Sequence, residues 1–370
     1  MDEILESEHT ASDEEEANVE TENVGTSKDE LADIVEGLST DIQVIGCGGG
    51  GCNTVDRMMN SDFDSCEFIA LNTDAQHLQE VNADKHILVG LEKTKGRGAG
   101  SEPSVGKESA EEDREKIRQL VSGQDMVFIT AGMGGGTGTG AAPVVAEIAK
   151  EENALAVAVV TMPFASEGNL RWSNATKGLD DLRQKADTVI TIPNDRLLAL
   201  TPEKSLKDAF AYCDEVLYKS VQGVTNLINN SGLVNVDFSD LKTIMSNGQV
   251  AMIGMGEVQQ TENNPAEEVV ESALNSRMLD VSIEDADSVL VNVSGGPSMS
   301  VEDAEGVVSK LHDQVDQNAR IIWGADVDED LAGKMQALLV VTGVESDQIL
   351  GSESGPPDLT PPDSGIDHVL

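Results

Sequence analysis

The chain has 370 residues, enough for two domains or for one large domain with tails. Its 24 Lys and Arg face 68 Asp and Glu, a formal charge of −44, which is the wrong sign for a nucleic-acid binder or an anionic-membrane binder. Hydrophobic residues reach 39%, enough for sizeable cores, yet no run of about 18 apolar residues occurs, so neither a membrane-spanning helix nor direct membrane insertion is expected.

Most of the excess acid lies beyond residue 40. Such charge repels itself and weakens the compact state unless salt screens it; at about 1 M salt the Debye length is roughly 3 Å. The composition therefore points to a high-salt cytoplasm. The acidic start, without an apolar leader, agrees with a cytoplasmic location. Cys47, Cys52, Cys66 and Cys213 form no Cys-x-x-Cys pair and no histidine clusters near them, so buried thiols are expected rather than disulfides or a zinc site.

Residues 1–40 read as an acidic, mostly disordered tail, with helical spacing over Asp29–Leu38 that suits a short docking helix. A strand, Ile42–Ile45, then runs into Gly46-Cys47-Gly48-Gly49-Gly50-Gly51 and a helix through Val55 and Met59. A second strand, Glu67–Leu71, ends in Asn72-Thr73-Asp74. Gly46-x-Gly48-x-x-Gly51 matches the dinucleotide fingerprint, with Asp74 about where its ribose-binding acid would sit. On this unit alone NAD and another nucleotide fit equally well.

Ile87–Val89 is a third short strand, and Lys95–Gly100 a flexible loop carrying positive charge. Residues 107–122 read as one charged amphipathic helix with a solvated face. The apolar strand Met126–Ala131 then meets Gly132-Met133-Gly134-Gly135-Gly136-Thr137-Gly138-Thr139-Gly140, followed by a helical pattern over Ala141–Lys150. Backbone amides at a glycine turn and the positive end of a helix dipole suit an anion. No Gly-Lys-Ser/Thr follows, so a polyphosphate here is held by amides and hydroxyls without a P-loop lysine.

Ala154–Thr161 is a nearly continuous apolar strand, as in a parallel sheet buried on both faces. Glu167–Arg171 opens a helix, and Thr188–Ile192 is a strand closed by Pro193-Asn194-Asp195. Strand–helix alternation predicts a doubly wound, mostly parallel α/β sheet, whose ligands bind at the carboxyl ends of the strands. Both glycine loops, Asn72–Asp74, Glu167 and Asn194 fall at those ends.

Residues 205–229 read as one helix of about 37 Å, with an apolar stripe at Leu206, Phe210, Cys213, Leu217, Val221, Val224 and Ile228. Phe210 and Asp214, one turn apart, can stack a base and accept its N–H groups; spacing alone favours a core Phe beside a surface Asp. Asp237 reads as a helix N-cap with Asp240 in the first turn. From Ala251 the rhythm changes. Strands near 250–258, 288–294, 319–326 and 336–343 and helices near 265–275 and 301–315 predict a smaller second α/β domain. Residues 346–370 form a flexible tail, and its apolar end, Gly365–Leu370, suits a docking peptide or an inert terminus equally.

Gly134–Gly140 resembles the signature loop of the tubulin/FtsZ family. With Gly48–Gly51, Asn72–Gln76, Pro163-Phe164, Glu167-Gly168, Arg171, Pro193–Leu197 and Asn235–Asp240, residues 41–345 look like FtsZ, the prokaryotic cell-division GTPases, and like its archaeal members. The resemblance implies a GTP-binding domain over 41–204, a central helix over 205–229 and an activation domain over 230–345. It implies GTP or GDP as ligand, with Gly49, Gly50 and Asn53 contacting the nucleotide. Gly135, Gly136, Thr137, Gly138 and Thr139 would hold phosphates, and Glu167 and Arg171 would approach ribose and phosphate. Asn194, Phe210 and Asp214 would recognise guanine. Asp237 and Asp240 would act catalytically in the site of the next subunit of a head-to-tail homopolymer at the mid-cell division site, with membrane-adaptor division proteins as further partners. Mg²⁺ should matter, with no ligands assigned. The chain departs from the family pattern at Cys52, Arg97, Ala165-Ser166 and Asn169. Two rival readings make other predictions: a Rossmann-type NAD-binding oxidoreductase, which leaves the second glycine loop unexplained, and a tubulin-like scaffold without turnover, against which Asp237 and Asp240 argue.

Overall fold

The computed structural model describes residues 40–61, 66–195, 206–229, 234, 236–246, 249–260, 264–276, 283–284 and 286–344. The two tail expectations, for residues 1–40 and 346–370, lie outside the described residues apart from Thr40. In chain order, β1 (Ile42–Cys47) and α1 (Gly48–Met59) precede β2 (Glu67–Asn72), α2 (Ala75–Glu80), β3 (Lys85–Leu88) and the short α3 (Leu91–Thr94). Then come α4 (Pro103–Glu112), α5 (Arg114–Val121), β4 (Met126–Gly132), α6 (Thr137–Glu151), β5 (Leu155–Met162), α7 (Asn169–Lys185) and β6 (Thr188–Pro193). The chain continues through α8 (Leu206–Asn229), α9 (Phe238–Met245), β7 (Gln249–Gln259), α10 (Pro265–Leu274), β8 (Ser288–Gly295), α11 (Val301–His312), β9 (Arg320–Val327) and β10 (Lys334–Thr342).

The strands form one sheet in the order β3-β2-β1-β4-β5-β6-β7-β10-β8-β9. Every neighbouring pair from β3 to β7 is parallel, and only the two pairings of β10 are antiparallel. The α/β alternation and the change of rhythm after Ala251 are both present. The later strands join the earlier ones through a short parallel register, Thr188 to Gln249 through Ile190 to Ala251.

Period-two alternation sorts each buried strand onto two cores. In β4, Met126 and Phe128 join a layer with Val44, Phe68, Val157 and α8. Val127, Ile129 and Ala131 join the opposite layer, with Val144, Val145 and Ile148 of α6 and Leu179 and Leu182 of α7. Both faces are therefore covered, which is why β4 and β5 read as unbroken apolar runs. The strands after β6 have a further core against α10 and α11, built on Val269, Val291, Val307 and Leu339.

The predicted long helix is present as a single 24-residue element. Its buried stripe, Cys213, Val216, Leu217, Val221, Val224 and Leu227, belongs to the same apolar layer as Phe128 and Ile190 on one side and Ile253 and Leu338 on the other. The side chains of Leu206 and Phe210 lie outside the described residues.

Three local readings change. The single helix expected over 107–122 is two, broken at Asp113, whose backbone leaves the helical region at φ −106°, ψ 21°. The cause is tertiary: the Asp113 carboxylate is buried and accepts the Gly90 N–H at 2.8 Å. The face read as solvated is also partly packed, since Gly106, Ser109 and Ala110 of α4 are buried. A Cβ at Gly140 would sit 2.0 Å from the Pro103 carbonyl oxygen, so only glycine lets α6 cross α4 this closely. Finally, the Lys95–Gly100 loop is held by its backbone: the Ala75 N–H donates to the Gly96 carbonyl and the Gly98 N–H to the Thr73 carbonyl, both at 3.0 Å. The backbone of Arg97 forms an isolated antiparallel bridge with that of Asp74.

Candidate functional site

The two glycine loops lie side by side at the carboxyl ends of β1 and β4. α1 begins at Gly48, with φ +70°, and a Cβ there would meet the Gly138 nitrogen at 2.5 Å. The second loop is shorter than the sequence suggests. α6 starts at Thr137, so Gly138, Thr139 and Gly140 are already helical and only Gly132 to Gly136 turn. Gly134 N–H donates to the Thr139 hydroxyl at 2.8 Å, and Thr137 shares a 2.6 Å hydroxyl–hydroxyl bond with Thr73.

These loops floor a cleft of about 550 Å³, within the range of small-molecule sites. It gathers Gly49, Gly50, Asn53, Gly135, Gly136, Thr137, Gly138, Glu167, Arg171, Asn194 and Asp214. Thr139 is not on its wall; it is 2% exposed and braces the loop from behind through Gly134. The Phe210 side chain lies outside the described residues. Asp237 and Asp240 are exposed on the first turn of α9 and do not line the cleft. Asp237 also caps that helix, accepting the Ser239 N–H at 2.9 Å, as its position predicts.

Asp214 is no surface residue: its side chain is 21% exposed and faces the cleft. Burial raises its carboxyl above the ordinary range, and the Arg57 guanidinium at 3.6 Å and the Thr54 hydroxyl at 3.2 Å pull it partly back. Glu167 accepts the Phe164 N–H at 2.9 Å and pairs with Arg171, so the turn before α7 is fixed by its own side chain. Asp195 holds the same turn by accepting the Ala165 N–H; burial raises its carboxyl, and the nearby Glu167 charge adds to that.

A built ligand site needs room and unmet polar groups. A Cβ at Gly49 or Gly135 would meet nothing, so these backbones open onto space. Asn194 is 5% exposed, and its Oδ1 has no hydrogen-bond partner among the described residues. The cleft thus combines open backbone along two loops with a buried carboxamide and a carboxylate, a set of groups that fits a nucleotide. Among the described residues no group of three or more His, Cys, Asp or Glu side chains is disposed to hold a metal.

Sequence reading missed His77 and Thr161 on the wall, and the roles of Thr54 and Arg57. The i, i+3 spacing of Thr54 and Arg57 on α1 was a signal for the last two, readable only once α8 is placed beside α1. Asp74 does not act as a free ribose acid: its Oδ1 caps α2 by accepting the Gln76 and His77 N–H groups. Cys52 turns away from the cleft, its thiol donating to the Gly46 and Leu71 carbonyls, and burial pushes it up to about 12. Cys47 and Cys213 are also buried thiols and Cys66 is half-buried, all free of disulfides.

Comparison with known proteins agrees with this geometry. The profile described as Tubulin/FtsZ family, GTPase domain, matches residues 41–202, and that of the FtsZ family, C-terminal domain, matches residues 249–345. Cell division protein FtsZ 1 of Halobacterium salinarum is 52% identical over 357 residues, 95% of this chain and 89% of that protein. Cell division protein FtsZ of Haloferax mediterranei is 54% identical over 323 residues, 87% of this chain and 85% of its own. A solved FtsZ dimer of M. jannaschii superposes with a TM-score of 0.81 at 47% identity, covering 85% of this chain and 91% of that one. These matches, with the capping role of Asp74, overturn the NAD-binding oxidoreductase alternative.

Proposed function

This chain belongs to the FtsZ family, the cell-division branch of the tubulin/FtsZ GTPases, and from that premise we propose that it binds GTP in the cleft and hydrolyses it to GDP and phosphate within a head-to-tail filament of its own copies. The observation that carries this reading is a separation. The cleft is lined by both glycine loops, Glu167, Arg171, Asn194 and Asp214, while Asp237 and Asp240 stand exposed on α9, off its wall. One copy holds half a site, and a second copy docked α9-first supplies the other half. Heterologous contacts of this type do not close, so they propagate as a filament. That the M. jannaschii relative is described as a dimer supports self-association.

In this reading residues 41–204 bind nucleotide, 205–229 form the connecting helix and 230–345 carry the activating acids. The amides of Gly49, Gly50, Gly135, Gly136 and Gly138 and the Thr137 hydroxyl hold the phosphates. Glu167 and Arg171 sit at the ribose side. Asn194 and Asp214 read guanine, and Phe210 stacks on it. Asp237 and Asp240 of the neighbouring copy orient the attacking water. Catalysis is then positioning plus charge neutralisation. Mg²⁺, when bound with the phosphates, supplies the positive charge that the cleft lacks. Among the described residues no helix is long and apolar enough to cross a membrane. In this reading membrane-adaptor division proteins are the partners that bring the filament to a mid-cell division site.

The test is GTP hydrolysis per subunit against protein concentration, in molar KCl with Mg²⁺, for wild type and Asp240→Ala. Specific activity should rise with concentration and vanish in the variant, while GTP binding survives. Activity independent of concentration would refute the shared site, and binding without turnover in wild type would favour a scaffold.

A further inference from the structure

A side-chain relay on the cleft wall is not explained by the backbone loops. Asn72 closes β2, and its Oδ1 accepts the N–H groups of Thr73 at 2.8 Å and Asp74 at 3.4 Å. Backbone donors cannot flip, so they fix this carboxamide with Nδ2 toward His77. Asn72 Nδ2 lies 3.3 Å from His77 Nδ1 and donates to it. A ring nitrogen that accepts carries no proton, so the neutral imidazole keeps its hydrogen on Nε2. That N–H donates to Asn53 Oδ1 at 3.0 Å. The carbonyl end of Asn53 is thereby engaged, and its NH₂ end is left to the cleft that Asn53, His77 and Asn72 all line.

We propose that His77 is a positioning residue. Through the relay Asn72–His77–Asn53 it holds the Asn53 carboxamide with its N–H donors, rather than its oxygen, toward the anionic oxygens of the bound nucleotide. The inference rests on the reading of the cleft as a guanine-nucleotide site. Its physical weight comes from the scarcity of cations. Among the described residues of the wall the one arginine, Arg171, is paired with Glu167, and Asp74, Glu167 and Asp214 are acids. An unrestrained carboxamide on an exposed residue would present oxygen to phosphate in one of its two orientations, which repels. Fixing the flip removes that orientation before the ligand arrives.

The experiment is a double-mutant cycle on the full chain in molar KCl, read as affinity for a fluorescent GDP analogue. His77→Ala and Asn53→Ala should each weaken binding by about threefold to tenfold, the effect of losing one oriented hydrogen bond. The double variant should be no weaker than Asn53→Ala alone, and His77→Gln, which can still accept and donate, should recover part of the loss. Additive losses, or His77→Ala binding like wild type, would overturn the proposal. A second measurement needs no variant to fold: ¹⁵N spectra of the nucleotide-free wild type at alkaline pH should show His77 protonated on Nε2 and bare on Nδ1, and the opposite tautomer would overturn it. Wild type that fails to bind guanine nucleotide at all would overturn the reading of the cleft itself, whereas wild-type binding with an additive cycle removes only the role of His77.

Discussion

Thr73 and Thr137 share a buried hydroxyl–hydroxyl bond of 2.6 Å that ties the end of β2 to the first turn of α6. Thr73 is fully buried, while Thr137 is 8% exposed at the wall of the cleft, so only the Thr73 hydroxyl lacks a solvent substitute. Thr73→Val keeps the shape and removes the bond, leaving the Thr137 hydroxyl to the cleft. The expected cost is about 0.5–1.5 kcal/mol of stability, read by denaturant unfolding in molar KCl. Equal unfolding midpoints would show that the bond contributes nothing.

The contact between the two glycine loops is tighter still. At Gly48 an added Cβ combines a left-handed backbone with a 2.5 Å approach to the Gly138 nitrogen. Gly48→Ala should lose about 1–2 kcal/mol to backbone strain and about 1–3 kcal/mol to overpacking. Gly49→Ala, where a Cβ meets nothing, should keep the fold and lose ligand affinity only. Thermal unfolding and nucleotide binding on the same pair of variants separate the two effects, and similar behaviour of both would contradict the geometry.

Asp214 should oppose stability and support binding. Burial raises its folded-state carboxyl above the ordinary value, with Arg57 and Thr54 offsetting only part. A raised carboxyl favours the folded state below the unfolded pKa, about 3.9 for Asp, and this contribution is lost as pH rises through the folded pKa. Asp214→Asn should therefore be more stable than wild type at neutral pH and no more stable well below pH 4. Loss of a charged hydrogen bond should weaken guanine-nucleotide binding about 10- to 100-fold. Unfolding curves across pH, with a binding assay at neutral pH, check both halves; a variant less stable at pH 7 would refute the sign.

Net charge makes a prediction for the whole chain. With −44 charges, repulsion outweighs what exposed ion pairs return. Arg118 and Arg114 do hold the Glu151 carboxyl below its usual range, but this network is solvent-exposed and contributes little. Raising KCl from about 0.1 M to about 1 M shortens the screening length from about 10 Å to about 3 Å. The thermal midpoint should rise by several degrees, and a midpoint that stays level or falls would rule out the high-salt reading.

The sequence alone determined whatever is written in local period and local chemistry. The apolar runs of β4 and β5, the stripe of α8 and the capping role of Asp237 follow from side-chain spacing and backbone donors close in the chain. The glycine loops were legible because few other residues tolerate such backbone, and the family because its motifs recur in order. Only the tertiary structure decided what depends on contacts distant in the chain. Asp113 breaks a predicted helix because Gly90 donates to it from another loop. Asp214 faces the cleft because α8 packs beside α1, which brings the Thr54 hydroxyl to its carboxylate from 160 residues away. Periodicity encodes which face of an element is apolar; it carries no information on which polar group from elsewhere will meet a side chain, and hydrogen bonds of that kind define this site.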